Sequence, residues 1–268
     1  MRTPSSARLN QLGNDHFGHG RYTEAFACYR QALDCDRRTG DRRALVATLG
    51  NLGNISAVSG RRKEAEQYYR EVLELQKALG DDQGIGTTLA NLGNLRADAG
   101  EWERARAYYL EALDILERTE DVRGLAILHS DLGMAARETG DFTEALRRYE
   151  LSLAHMRRLG NQAGVADAYR MIGKTLALCG KLDEAAACAN TSLAVCARLK
   201  DELREAGALY LLAGIREEQG QVAEAAELFE RVVTVDRKHQ LPKLEENMNR
   251  LATLRARSQL EAEREGQA

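Results

Sequence analysis

The groupings in this chain that could do chemistry are few, and each lacks a part. Residues 168–175, AYRMIGKT, fit a relaxed phosphate-loop pattern ending in Gly173, Lys174 and Thr175. A working phosphate loop needs a preceding strand and a glycine-rich turn whose amides cradle the phosphates. Here Gly173 instead belongs to a glycine series spaced forty residues apart. His16 and His19 lie three apart beside Asp15, without the placed carboxylate or cysteine partners that would complete a metal site. Gly84-Ile85-Gly86 lacks the third glycine and the flanking strand of a dinucleotide fingerprint. The cysteines are odd in number and form no C-x-x-C pair; Cys28 and Cys35 stand seven apart, Cys188 and Cys196 eight. That argues against a disulfide framework and against zinc. No Ser/His/Asp or Cys/His grouping is local enough to argue from. The sequence therefore predicts no catalytic residue, no metal and no cofactor, and the chain does not read as an enzyme.

A different chemistry recurs at regular spacing. One series reads Asn14, Asn54, Asn94, then Met134, Lys174 and Gly214; another reads Gln11, Asn51, Asn91, Asp131, Met171 and Leu211. Asparagine is a mediocre helix former, so its recurrence needs a reason. Side-chain amides offer two donors and an acceptor, which suits a ladder along an extended peptide backbone. The same amides also suit bonds to a neighbouring helix's backbone, or local turn caps. Further along, Arg137, Arg170 and Lys174 are basic, and Glu217 and Glu218 are acidic. Those charges fit either a partner's acidic residues facing the basic stretch or a solvated face.

The elements that carry these residues follow from the period. One glycine column runs Gly20, Gly60, Gly100, Gly140, Gly180 and Gly220, placed between apolar-periodic runs as a helix terminus would be. A second runs Gly13, Gly53, Gly93, Gly133 and Gly173, then Ala213. It falls in mid-helix, where glycine costs about 1 kcal/mol relative to alanine, so close helix approach is expected there. Ala25, Ala65, Ala105, Ala145, Ala185 and Ala225 would supply the opposing small surface. Tyr29, Tyr69, Tyr109 and Tyr149, then Ala189 and Phe229, would fill the space between successive units. Within a unit, apolar residues recur every three or four positions, as in Leu89, Leu92, Leu95 and then Ala105, Tyr109, Ala112, Leu116. That is helical periodicity in two halves, and no strand signal accompanies it.

This pattern resembles the tetratricopeptide repeat in its forty-residue form, as found in Pins-type polarity adaptors and bacterial regulators. The resemblance covers about residues 6 to 240. It implies an all-α, right-handed α-solenoid of six helix-turn-helix units, at 6–40, 41–80, 81–120, 121–160, 161–200 and 201–240. Helices are expected at about 6–19 and 22–38, 42–59 and 62–79, and so on through 222–238. At Glu120 and Lys200 the terminal glycine is missing, so those turns are expected to close differently. A capping helix over 241–260 would follow Pro242, with Leu244, Met248, Leu251 and Leu254 as its apolar stripe. Residues 1–5 read as a frayed lead and 261–268 as a disordered tail.

In this family the first helices of the repeats line a concave groove. The resemblance therefore makes Asn14, Asn51, Asn54, Asn91, Asn94, Asp131, Arg137, Arg170 and Lys174 groove residues. It implies a scaffold or adaptor holding a peptide or helix of a partner protein, with acidic partner residues facing repeats four and five. Chaperone-binding members clamp a C-terminal carboxylate with lysines flanking the groove asparagines. Here Asn14 and Asn51 stand at the asparagine places, but Asn10 and Gly18 hold the flanking ones, which argues against such a clamp. Repeat five departs most, with Ala189, Lys200, Arg170, Lys174 and three cysteines, as a packing variant or a specialised site. A self-assembling solenoid and the sensor module of a bacterial signalling protein are the alternatives. The chain runs from Met1 to a cap, which favours the adaptor.

Composition is compatible with all three. A net charge of −3 over 268 residues gives no general case for nucleic acid or an anionic membrane. No apolar run approaches the roughly 20 residues of a membrane span, and the N-terminus lacks a signal-peptide core. A cytoplasmic protein, monomeric rather than oligomeric, is expected; arginine far outnumbers lysine, as in GC-rich bacterial genomes.

Overall fold

The computed structural model describes residues 5–265, and those residues form thirteen α-helices joined by tight turns, with no strand among them. The chain divides into two compact units, residues 1–131 and 132–268. The first holds α1 (Ser6–Gly18), α2 (Tyr22–Thr39), α3 (Arg42–Val58), α4 (Arg62–Leu79), α5 (Asp82–Ala97) and α6 (Trp102–Arg118). The division falls within α7 (Val122–Glu138). The second unit continues with α8 (Phe142–Arg158), α9 (Gln162–Leu178), α10 (Leu182–Leu199), α11 (Glu202–Glu218), α12 (Val222–His239) and α13 (Leu244–Glu265).

Each helix pair is started and turned by local chemistry. Asp41, Asp81, Asp121, Asn161 and Asp201 accept hydrogen bonds from first-turn amides, as at Gly84 (3.0 Å) and Arg204 (3.0 Å). Each satisfies donors that a helix start leaves open. The turn inside each pair is a Schellman motif. At the first, the Arg21 amide donates to His16 carbonyl at 2.9 Å and Gly20 to Phe17 at 3.0 Å, with Gly20 at φ 72°.

The expectation that Glu120 and Lys200 would close their turns differently is not met. Both adopt the left-handed conformation, at φ 51° and 55°, as Gln240 does at 52°. Asp201 donates to Cys196 carbonyl at 3.1 Å and Lys200 to Ala197 at 3.2 Å, the same bonding as at the glycines. The carbonyls at the helix end demand that geometry, and the non-glycine residues bear its cost.

The mid-helix glycines also need a corrected reading. A Cβ on Gly13, Gly53 or Gly93 would meet the neighbouring helix through a tyrosine ring rather than through the alanine column, at 2.4, 2.5 and 2.4 Å from Tyr29, Tyr69 and Tyr109. Approach of the neighbouring helix's own backbone explains the glycine in repeat five. There Ala189 replaces the ring, and a Cβ on Gly173 would meet the Ala185 carbonyl at 3.1 Å and Cys188 Cβ at 3.2 Å. The rings do join successive pairs: Tyr29 packs in one cluster with Leu33, Leu49 and Leu52.

α13 also differs from expectation. It extends through Glu265, across much of the segment read as a disordered tail; residues 266–268, like residues 1–4 of the lead, lie outside the described residues. Ser5 is not frayed but caps α1, accepting from the Arg8 amide. On α13 Leu251 and Leu254 are buried, whereas Met248 is 43% exposed. Asn247 takes the inward place and donates to Asp236 at 2.7 Å.

Candidate functional site

The two asparagine columns sit on the first helices of the pairs, and their surroundings differ between the units. In the first unit Tyr29, Tyr69 and Tyr109 donate to Oδ1 of Asn14, Asn54 and Asn94 at 2.8, 2.7 and 2.6 Å. The tyrosine lies fifteen residues after its asparagine because the second helix folds back over the glycine at the preceding position. The hydroxyl thus fixes an amide that is otherwise exposed, leaving its two N–H donors outward. Burial, and then the charge of Asp98, push the Tyr69 hydroxyl up to about 12. It stays a donor at any ordinary pH.

The second column is tied in differently. Asn51 donates to Asn10 Oδ1 at 3.1 Å, Asn10 to Thr48 at 2.6 Å, and Thr48 to Asp36 at 2.6 Å. Asn51 is therefore a member of an internal chain of bonds. Asn91 lines a depression with Asn54 and Asn94. Asp131, the last residue of this unit, is half-buried, yet its Oδ2 is enclosed without a hydrogen-bond partner. Burial pushes its carboxyl up to about 7.

In the second unit the columns become apolar and basic. Arg137 is not open to a ligand: it is buried, bonded to Glu138 at 2.9 Å and to the Met171 sulfur at 3.5 Å. Glu217 is likewise taken, by Arg250 at 2.9 Å and Arg257 at 2.5 Å. Burial raises its carboxyl, but those hydrogen bonds outweigh burial and hold it below the usual range. Arg170 and Lys174 do come together, at the rim of a depression of about 400 Å³ between α9 and α11. Its floor is Leu178, Tyr210, Leu211 and Ile215, with Glu218 on the far rim. Two glycines open it: Gly207, and Gly214, where a Cβ would meet nothing within 4 Å. Arg170 reaches Asp167 only at 3.8 Å. Partial burial, then Arg137, Arg170 and Lys243, hold the Lys174 ammonium below the lysine range, with Glu138 pulling the other way.

The remaining sequence candidates form no site. Residues 168–175 lie inside α9, so their amides bond within the helix rather than around a phosphate. His19 Nδ1 contacts the Asp15 carbonyl at 2.8 Å, and among the described residues no group of three metal-binding side chains converges. The asparagine–tyrosine bond was readable but missed. Its signal is the fifteen-residue offset, at which every asparagine of this column, Asn14, Asn54 and Asn94, is followed by a tyrosine.

A family model described as tetratricopeptide repeat matches residues 5–78, 45–118, 84–158, 124–197 and 164–238. The chain belongs to the tetratricopeptide repeat family, with the helical repeat solenoid that defines it. Among solved structures it is similar to BtubC (BKLC) from P. vanneervenii, with TM-score 0.68 and 19% identity, over 89% of this chain and 94% of that one. A Rap protein complexed with competence and sporulation factor gives TM-score 0.68 at 14% identity, over 93% of this chain and 74% of that one. A STAND signal-transduction ATPase with a tetratricopeptide repeat sensor, from Pyrococcus horikoshii, gives 0.71 at 12%, over 97% and 43%. At these identities the likeness shows the fold alone. A search of curated proteins found no match. The fold suits a protein-interaction or scaffold role, and among the described residues no helix is long and apolar enough to cross a membrane.

Proposed function

We propose that this protein is a cytoplasmic scaffold rather than an enzyme. In this reading a segment of a partner protein binds on faces carried by the first helices of the repeats, taken within each compact unit by itself, with α13 closing the second unit. The observation that carries this reading is the depression between α9 and α11, with its apolar floor and its rim cations Arg170 and Lys174. Arg170 has its carboxylate neighbour, Asp167, only at 3.8 Å, and Lys174 stands in the field of Arg137, Arg170 and Lys243 with Glu138 opposing them. An apolar patch beside a pair of cations is what a binding site presents before its partner arrives. The partner complementary to it carries an apolar side chain and nearby acidic residues. In the first unit the outward N–H donors of Asn14, Asn54 and Asn94 suit main-chain carbonyls of an extended segment.

Affinity capture from native lysate, comparing the wild type with Arg170→Glu/Lys174→Glu, tests the reading. A prey retained by the wild type and lost with the variant supports it. Prey held equally by both, with the variant's thermal melt unchanged, removes the α9–α11 site from the proposal.

A further inference from the structure

The first unit holds a second depression, of about 370 Å³, with the opposite electrostatic character. Three first helices build it: Phe17 from α1, Asn54 and Val58 from α3, and Asn94, Leu95 and Asp98 from the end of α5. Phe17, Val58 and Leu95 make an apolar wall, and Val58 is 55% exposed. Tyr69 and Tyr109 occupy the Oδ1 atoms of Asn54 and Asn94, so these amides present donors only.

Asp98 stands beside them, exposed, and its carboxylate makes no ion pair among the described residues. Arg62 donates to the Asp98 backbone carbonyl at 2.6 Å, a neutral acceptor, and makes no ion pair with the Asp98 carboxylate among the described residues. Arg96 is held by Glu66 at 2.5 Å. No lysine or arginine is among the residues lining the depression; burial first raises both tyrosine hydroxyls, with Asp98 adding to it at Tyr69 and, after Asp131, at Tyr109. The Asn54 and Asn94 amide donors can serve carbonyls, but no residue lining the depression forms an ion pair with the carboxylate.

We propose that this depression takes an arginine or lysine side chain of the partner segment. The aliphatic stem lies against Val58 and Leu95, as long cationic side chains lie along apolar surface. The charged head reaches Asp98, within range of the Phe17 ring face. The carbonyls flanking that residue accept from Asn54 and Asn94. This deepens the scaffold reading and rests on it. A segment bound at this depression then carries a basic residue, whereas the depression of the second unit suits acidic ones.

The test is selection of a displayed library of random dodecapeptides on the full-length chain, with sequencing of the eluted pools. Wild type is expected to enrich arginine or lysine at one position about fivefold over input, the scale of one exposed ion pair plus one cation–π contact. Asp98→Asn, a shape-preserving change at an exposed position, should lose that enrichment while keeping the acidic preference set by Arg170 and Lys174. Asp82→Asn, an exposed acid elsewhere on α5, should leave both. A wild-type pool with acidic but no basic preference would overturn the subsite and leave the scaffold reading standing. Basic preference surviving Asp98→Asn, or lost equally with Asp82→Asn, would overturn it too. If no peptide is enriched, the scaffold reading falls and takes the subsite with it.

Discussion

Equivalent helices of the two units carry different chemistry on the same frame. α3 and α5 present Asn51, Asn54, Asn91 and Asn94, where α9 and α11 present Met171, Lys174, Leu211 and Gly214. Beneath both, the alanine column is fully buried, from Ala25 to Ala225. Packing columns face inward and are fixed by the shape of the neighbouring turn. Outward columns are free to vary, and there the two units diverge. One variation reaches inward: in repeats one to three the exposed amide is bonded to the buried tyrosine. In repeats five and six both partners are gone together, with Lys174 and Ala189, then Gly214 and Phe229, and in repeat six Tyr210 packs edge-on against Phe229 at 5.3 Å. A glycine in this frame is thus either a seat for a ring or an opened floor, and the two kinds should respond oppositely to a methyl group.

The largest effect expected from that contrast is at Gly93 and Gly214. Alanine at Gly93 gains about 1 kcal/mol in helix propensity but sets its Cβ 2.4 Å from the Tyr109 ring. That ring is fully buried and hydrogen-bonded, so it cannot swing away, and overpacking costs about 1–3 kcal/mol. Gly93→Ala should lower the urea midpoint. Gly214→Ala meets open space and should raise stability by up to about 1 kcal/mol, while shrinking the α9–α11 depression. Equal shifts at both sites would refute the distinction between seat and floor.

A smaller effect is expected where the amide column of the first unit becomes a carboxyl, at Asp131. Its folded pKa of about 7 stands above the value of about 3.9 for a free aspartate. The folded state therefore holds the proton more tightly. The stabilisation is complete below about pH 4 and is lost as pH rises from there through 7. Asp131→Asn, which carries no charge, should remove this dependence. Relative to wild type it should gain on the order of 1–2 kcal/mol between pH 5 and pH 8, less than the full shift because the residue keeps partial solvent contact. Urea melts of both proteins at the two pH values check this. Parallel curves would mean that the Asp131 carboxyl is solvated and ionised throughout.

The period, the helix pairs and the terminal glycines were legible because each repeats in register and has one mechanical meaning. The role of Gly93 was not, because glycine marks only that space is needed, not what fills it. The site was legible in part. Arg170 and Lys174 meet at one depression, while Arg137, three residues past the column position at Met134, turns inward to Glu138 and Met171. Residue type gives a charge; only the neighbouring helix decides whether that charge is spent. Asp98 went unread for the converse reason, since a single aspartate at a helix end looks like a solvated terminus until Phe17 and Val58 are placed beside it.

The smallest expected effect separates the turns rather than the faces. Gly40, Gly80 and Gly160 end their helices in the left-handed conformation at φ 71°, 67° and 65°, and Lys200 does so at 55°. A residue with a Cβ loses about 1–2 kcal/mol there, whereas glycine gives up about 0.5–1 kcal/mol more chain entropy on folding. The difference favours Lys200→Gly by about 0.5 kcal/mol. The converse change, Gly160→Ala, should cost about as much, since no atom lies within 4 Å to clash and only the backbone conformation opposes the methyl group. Paired urea melts of the two variants should move in opposite directions by similar amounts. A gain at Lys200 without a matching loss at Gly160 would show that the lysine side chain itself, and not its backbone angle, burdens that turn.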